Sequence, residues 1–214
     1  MKKKYLSYPL LDNAFSNADI QAGIDVLKSR QITMSGVTRK FEKLFAKKLN
    51  VKFALMVNSG SSANLLAAFA SSSPYRKIRF KKGDEFLIPA VCWSTSLWPF
   101  VQAGLKPKFV DVNPDNLNCD ANEIIKMINS KTKVIVLVHV LGLSTQVDKI
   151  RKIAKENNII LIEDTCESLG AKYKNKFLGS YGDFGTFSFY YSHQISSGEG
   201  GMITCNNIED YNIL

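Results

Sequence analysis

Histidine is scarce in this chain: only His139 and His193 occur in 214 residues, so imidazole proton transfer has two candidates. Cysteine is sparse as well. Cys92, Cys119, Cys166 and Cys205 are 27, 47 and 39 residues apart, with no CxxC pair. That spacing excludes zinc-ribbon and thioredoxin-like motifs and predicts reduced thiols in a cytoplasmic protein. No apolar run approaches the roughly 18 residues that a membrane-spanning helix needs. The basic start, Met1 to Lys4, lacks the apolar stretch of a signal peptide behind it. Arginine supplies five of the 28 basic residues, and no zinc-finger, RNA-recognition or basic-zipper pattern accompanies them. Nucleic acid and membrane are therefore not expected partners.

What is present is globular. Apolar residues make up 45% and charged residues 22%, which excludes disorder as the main state and suits one large domain. The net charge of +9 comes from scattered lysines, with short runs at Lys2 to Lys4 and from Arg76 to Lys82. It reads as solubility with mild steering of anions.

Hydrophobic periodicity predicts helices over 16–27, with Ile20, Ile24 and Leu27 on one face, and from Thr38, with Phe41, Leu44, Phe45 and Leu49 apolar. Apolar runs at 53–57, 85–88, 108–111, 134–138 and 159–162 alternate with helical stretches at 63–70, 94–102, 123–128 and 147–156. Short, non-alternating strands separated by helices mean an α/β fold with a mainly parallel sheet flanked by helices. The last part differs: strands at 184–190 and 202–204 surround Ser197-Gly-Glu-Gly-Gly201 with no helix between them.

In such sheets ligands sit beyond the carboxyl ends of the strands. Three polar groups fall there: Ser59-Gly60-Ser61, His139 and Glu163-Asp164. A strand entering a helix through a small polar turn suits a phosphate, whose charge meets clustered N–H groups. A serine N-cap in an ordinary turn fits Ser59 to Ser61 equally well. An aspartate after a strand is often only a helix cap, but its convergence with the other two ends favours a ligand site.

The sequence resembles the DegT/DnrJ/StrS family of pyridoxal-phosphate-binding sugar aminotransferases, a branch of the aspartate aminotransferase fold. Six ordered stretches carry the likeness. They are Ser35-Gly36 with Phe41-Glu42; Asn58-Ser-Gly-Ser-Ser-Ala-Asn64; Ile88-Pro-Ala-Val-Cys-Trp93; Val138-His139 with Gly142 and Asp148; Glu163-Asp-Thr-Cys-Glu167 with Gly170-Ala171; and Gly185-Thr-Phe-Ser-Phe189 running to Gly198-Glu-Gly-Gly201. The resemblance implies the large domain of a type I pyridoxal 5′-phosphate transferase. Gly60, Ser61 and Ser188 would contact the cofactor phosphate, and Trp93 would stack on the pyridine ring. Asp164 would face the ring nitrogen and Glu167 the phenolic oxygen.

One departure decides the reaction. Five residues after the serine matched by Ser188, family aminotransferases carry the lysine that binds the cofactor covalently; here His193 stands in that slot. Imidazole cannot form the stable imine of a primary amine, but it can carry protons near neutral pH. The resemblance then implies the histidine branch, the 3-dehydratases of nucleotide-linked 4-keto-6-deoxyhexoses. That branch has two subtypes, one working through pyridoxamine 5′-phosphate regenerated from glutamate without a metal and one carrying a 2Fe–2S cluster with a reductase partner. Because the four cysteines sit in separate units, the cluster-free subtype is expected, with His193 as the catalytic residue and no metal. A GDP-linked sugar and a homodimer are expected. Family members are longer, so residues 1–214 are expected to hold an N-terminal segment and an incomplete large domain, without the small C-terminal domain.

Overall fold

The computed structural model describes residues 8, 9, 12 and 15–214; the Lys2–Lys4 run lies outside them. Seven strands form one sheet in the order β1-β9-β8-β5-β4-β2-β3. They are β1 (Phe53–Val57), β2 (Glu85–Pro89), β3 (Lys106–Val110), β4 (Thr132–Val138), β5 (Ile160–Asp164), β8 (Phe184–Ser188) and β9 (Gly201–Cys205). Two residues each in β6 (Lys172–Tyr173) and β7 (Lys176–Phe177) make a separate hairpin. Its turn is made by Lys174 and Asn175, both at positive φ. Periodicity does not reveal so short an element.

The helices are α1 (Asn17–Ser29), α2 (Gly36–Leu49), α3 (Gly60–Ser72), α4 (Ser94–Gln102), α5 (Ala121–Met127), α6 (Val147–Glu156) and α7 (Ile208–Ile213). The last follows the expected strands and has no counterpart in the sequence reading. None of the helices among the described residues is long and apolar enough to cross a membrane.

The sheet is mixed rather than purely parallel. Strand β9 runs antiparallel to β1 and β8, while the pairs β2–β3, β2–β4, β4–β5 and β5–β8 are parallel. The reason lies in the connection. A parallel return needs a crossover, commonly a helix, and the segment between β8 and β9 contains none.

Strand parity explains the unbroken apolar runs. Phe86, Ile88, Val134, Val136, Ile160 and Ile162 pack into one core with Ala63 and Ala67 of α3. Their alternating neighbours Leu87, Ile135, Leu137 and Leu161 pack into another with Ile124 of α5 and Ile150 of α6. A third core joins Phe45 and Leu49 of α2 to Phe187, Phe189 and Met202. Each fully buried large side chain contributes about 1.5–3 kcal/mol.

Helix α1 starts where expected: Ser16 and Asp19 form a capping box. Its predicted apolar face is not covered, however. Ile20, Ile24 and Leu27 are exposed and no residue of α1 is buried. On α2, Leu44 is exposed too, although Phe45 and Leu49 are buried.

Gly201 sits where three segments meet, pairing with Val57 on one side and Ser188 on the other. A Cβ there would lie 2.3 Å from the backbone carbonyl carbon and oxygen of Ser59 and 2.7 Å from the nitrogen of Gly60. Backbone cannot swing aside as a side-chain tip can. Gly201→Ala is expected to cost about 1–3 kcal/mol by overpacking, measured as a lower urea midpoint with an unchanged slope.

Candidate active site

The site forms where β1, β4, β5 and β8 end together. After β1 the chain turns through Asn58 and Ser59 into α3, and Ser59 Oγ caps that helix by accepting the Ser62 N–H at 3.1 Å. Gly60 is buried against the neighbouring strands. A Cβ on it would meet Cys166 Sγ at 2.7 Å and Ser188 Cβ at 2.8 Å. Only glycine lets the helix N-terminus approach Ser188 this closely. Ser61 Oγ reaches Thr95 Oγ1 at 3.1 Å, linking the starts of α3 and α4. Ser188 Oγ accepts the Tyr190 N–H at 3.2 Å.

Parity also separates the two adjacent carboxylates of β5. Ile162 faces α3, so Glu163 faces the opposite layer and Asp164 faces α3 again. Glu163 is wholly buried and its acceptors are filled. Oε1 takes the N–H groups of Tyr181 and Gly182, both at 2.6 Å. Oε2 takes the Gly179 N–H at 2.9 Å and His139 Nε2 at 3.0 Å. Burial pushes this carboxyl up, but the His139 hydrogen bond and charge, with the Gly179 and Gly182 amides, outweigh it and hold Glu163 below the ordinary 4.5.

Asp164 is 5% exposed and bounds the cavity. Its Oδ2 accepts Asn64 Nδ2 at 2.8 Å and Ser96 Oγ at 2.7 Å, and its Oδ1 accepts the Cys166 N–H at 3.1 Å. Among the described residues, no Lys, Arg or His forms an ion pair with it. Two cavity-lining thiols lie close by. Burial, then the Asp164 charge, pushes Cys92 and Cys166 up, so both stay protonated at neutral pH.

A cavity of about 790 Å³ opens over these groups, and all seven residues predicted as site residues line it: Gly60, Ser61, Trp93, Asp164, Glu167, Ser188 and His193. Trp93 is 70% exposed at the start of α4, free to cover a ligand. His193 is half-buried in the loop after β8, its ring 6.1 Å from that of Tyr190 and edge-on to it. The Gln194 side chain ties this loop to the Glu167 carbonyl at 2.6 Å.

His139 is the exception among the strand-end groups. It lies on the Glu163 side, fully buried, does not line the cavity, and its Nδ1 has no hydrogen-bond partner. The sequence reading also missed several contributors. Thr95, Ser96, Tyr190 and Glu199 line the cavity, while Asn64 and Thr186 stand behind Asp164. Asn64 and Ser96 carried a faint signal, as polar residues on the otherwise apolar faces of α3 and α4. Among the described residues, the lining holds three carboxylates, Asp164, Glu167 and Glu199, and no lysine or arginine.

Glu163→Gln is expected to cost about 2–3 kcal/mol at pH 7, because its amide group would face N–H donors. The native carboxylate is depressed, so its contribution is present above pH 4.5 and is lost as pH falls through the lower folded value. Urea titrations at several pH values should therefore show a shallower acid limb for the variant.

The DegT/DnrJ/EryC1/StrS aminotransferase family matches residues 13–213. GDP-4-keto-6-deoxy-D-mannose 3-dehydratase of Escherichia coli O55:H7 is 42% identical over 212 residues, covering 98% of this chain and 54% of that protein. The solved structure of the E. coli GDP-4-keto-6-deoxy-D-mannose-3-dehydratase with bound hydrated PLP superposes with a TM-score of 0.92 at 43% identity, over 97% of this chain and 53% of that one. A GDP-4-keto-6-deoxymannose-3-dehydratase with a trapped PLP–glutamate geminal diamine gives 0.91 at 41% identity, with 97% and 53% covered. The chain spans about half the length of these relatives. With its strand-end cavity and nearly its whole length matched, the chain belongs to the DegT/DnrJ/EryC1/StrS aminotransferase family.

Proposed function

We propose that this chain carries the cofactor-binding half of a pyridoxal/pyridoxamine 5′-phosphate-dependent 3-dehydratase. The reaction removes the C3 hydroxyl of a nucleotide-linked 4-keto-6-deoxyhexose, of the GDP-4-keto-6-deoxymannose type, with glutamate as amino donor. The observation that carries the reading is His193 in a cavity that, among the described residues, is lined by no lysine.

The residues present fit the cofactor. The capped N-terminus of α3, with Gly60 too crowded for a Cβ, offers close backbone approach to a phosphate. Asp164 offers a buried anion without a cation, which a protonated ring nitrogen satisfies. Trp93 offers an exposed aromatic face. When bound, the cofactor supplies an electron-accepting ring conjugated to the reacting carbon.

Each residue then has a task. Ser61 and Ser188 orient the phosphate with the α3 amides, Asp164 keeps the ring nitrogen protonated, and Glu167 faces the phenolic oxygen. His193 moves a proton between the cofactor's C4′ carbon and the oxygen leaving C3 of the sugar, base first and then acid. The uncovered apolar face of α1 and the open cavity support completion of the site in a homodimer. Four free thiols support a cytoplasmic compartment.

Added pyridoxal phosphate should bind, and glutamate should convert its visible absorbance to the near-ultraviolet band of the amine form. Before glutamate is added, borohydride should leave the pyridoxal phosphate dialysable, whereas in His193→Lys it should become covalent. With the keto-sugar and glutamate supplied, His193→Asn should slow ammonia formation by roughly 10²–10⁴-fold with cofactor affinity retained. Covalent trapping in the native chain would overturn the dehydratase reading in favour of a lysine-based aminotransferase.

A further inference from the structure

Three buried polar side chains that the mechanism does not use converge on Asp164. Asn64 comes from α3, Ser96 from α4 and Thr186 from β8; they are 1%, 0% and 0% exposed. Their hydrogen bonds run in one direction. Thr186 Oγ1 donates to Asn64 Oδ1 at 2.7 Å. With its oxygen engaged, the Asn64 amide presents its NH₂ the other way, to Asp164 Oδ2 at 2.8 Å. Ser96 Oγ donates to the same oxygen at 2.7 Å.

Counting acceptor sites separates the two carboxylate oxygens. Oδ2 holds two donors, so its lone pairs are both used. Among the described residues the one well-directed hydrogen bond to Oδ1 comes from the Cys166 N–H. The Cys166 thiol beside the carboxylate is a weak donor that a charged N–H displaces, so one lone pair is open to a ligand. A carboxylate turns easily about its last torsion, since that well is broad. Two donors on one oxygen, delivered by two different helices, remove that freedom. A flipped Asn64 amide would set its carbonyl oxygen against Oδ2, which can only accept, and the Thr186 hydroxyl reinforces the native orientation by donating to Asn64 Oδ1. The alternative acceptor of that hydroxyl, the Glu163 carbonyl, lies farther away at 3.4 Å.

We propose that Asn64, oriented by Thr186, and Ser96 are positioning residues that present Asp164 Oδ1 to the ring nitrogen of the cofactor. The inference rests on the cofactor reading above. It assigns these three residues to one contact rather than to general bracing of α3 against the sheet.

The test compares two probes on the full chain: pyridoxal 5′-phosphate and its 1-deaza analogue, in which carbon replaces the ring nitrogen. Equilibrium dialysis gives the affinity of each, and their ratio isolates the nitrogen contact. The native chain should prefer pyridoxal phosphate. In Asn64→Ala and in Ser96→Ala that preference should fall by about tenfold, and in Thr186→Val by about threefold, with analogue affinity within about twofold of native. Circular dichroism and thermal melting monitor folding, and the near-isosteric Thr186→Val keeps the test available if Asn64→Ala unfolds. Equal weakening of both probes, with the preference unchanged, would mean bracing only and would overturn the inference. So would a native chain that binds both probes equally. A native chain that binds neither overturns the cofactor reading itself, and this inference falls with it.

Discussion

A carboxylate taken out of water must be met by hydrogen-bond donors or by a positive charge, and β5 ends with two such carboxylates side by side. Glu163 has four donors for its two oxygens, so its demands are met inside the protein. Asp164 has three, and its remaining lone pair belongs to a residue bounding the cavity. The first is a structural anion and the second is an anion with unfinished business. Much of the surrounding architecture follows from satisfying one and leaving the other open.

The Glu163 side acts as a knot. The carboxylate gathers the segment Gly179 to Gly182 and the imidazole after β4, fixing the approach to β8. Gly185 makes the same demand for closeness, since a Cβ there would lie 2.1 Å from the Gly179 carbonyl. Once β8 is placed, parity sends Phe187 and Phe189 into the α2 core and Thr186 and Ser188 toward α3. The Asp164 side is then assembled from α3, α4 and β8, each contributing one short polar side chain. A helix built largely of alanine and serine makes the close contact possible, because Ala63, Ala67 and Ala68 are wholly buried.

The cavity is acidic in a basic protein, which sharpens the view of how an anionic cofactor is held. Among the described residues its lining has no lysine or arginine, so the phosphate would be met by hydroxyls, backbone N–H groups and the partial charge of α3. Helix-end charges contribute up to about 2 kcal/mol in partly buried settings. A contact of Asp164 with a protonated ring nitrogen would be charge-assisted and would carry more per bond, about 1.5–3 kcal/mol. With histidine in place of a covalent lysine, as proposed, retention of the cofactor would depend on the sum of such contacts, and the orientation of Asp164 would carry unusual weight.

Local chemistry was legible in the sequence wherever it depends on near neighbours. The strands and most helices could be read from periodicity, and the departure at His193 by counting from Ser188. All seven predicted residues stand around one cavity because strand ends in an α/β sheet share an edge. Residues that act across large separations were not legible. Asn64 is 100 positions from Asp164 and 122 from Thr186, and Ser96 is 68 from Asp164; no period connects them. His139 looked like one of three strand-end site groups, yet parity turned it to the Glu163 side. The antiparallel course of β9 and the bare face of α1 were likewise set by connection geometry and packing. Sequence by itself determined the elements, their order and the chemistry available; tertiary structure decided which polar groups meet, because hydrogen bonds select partners by distance and direction in space rather than by position along the chain.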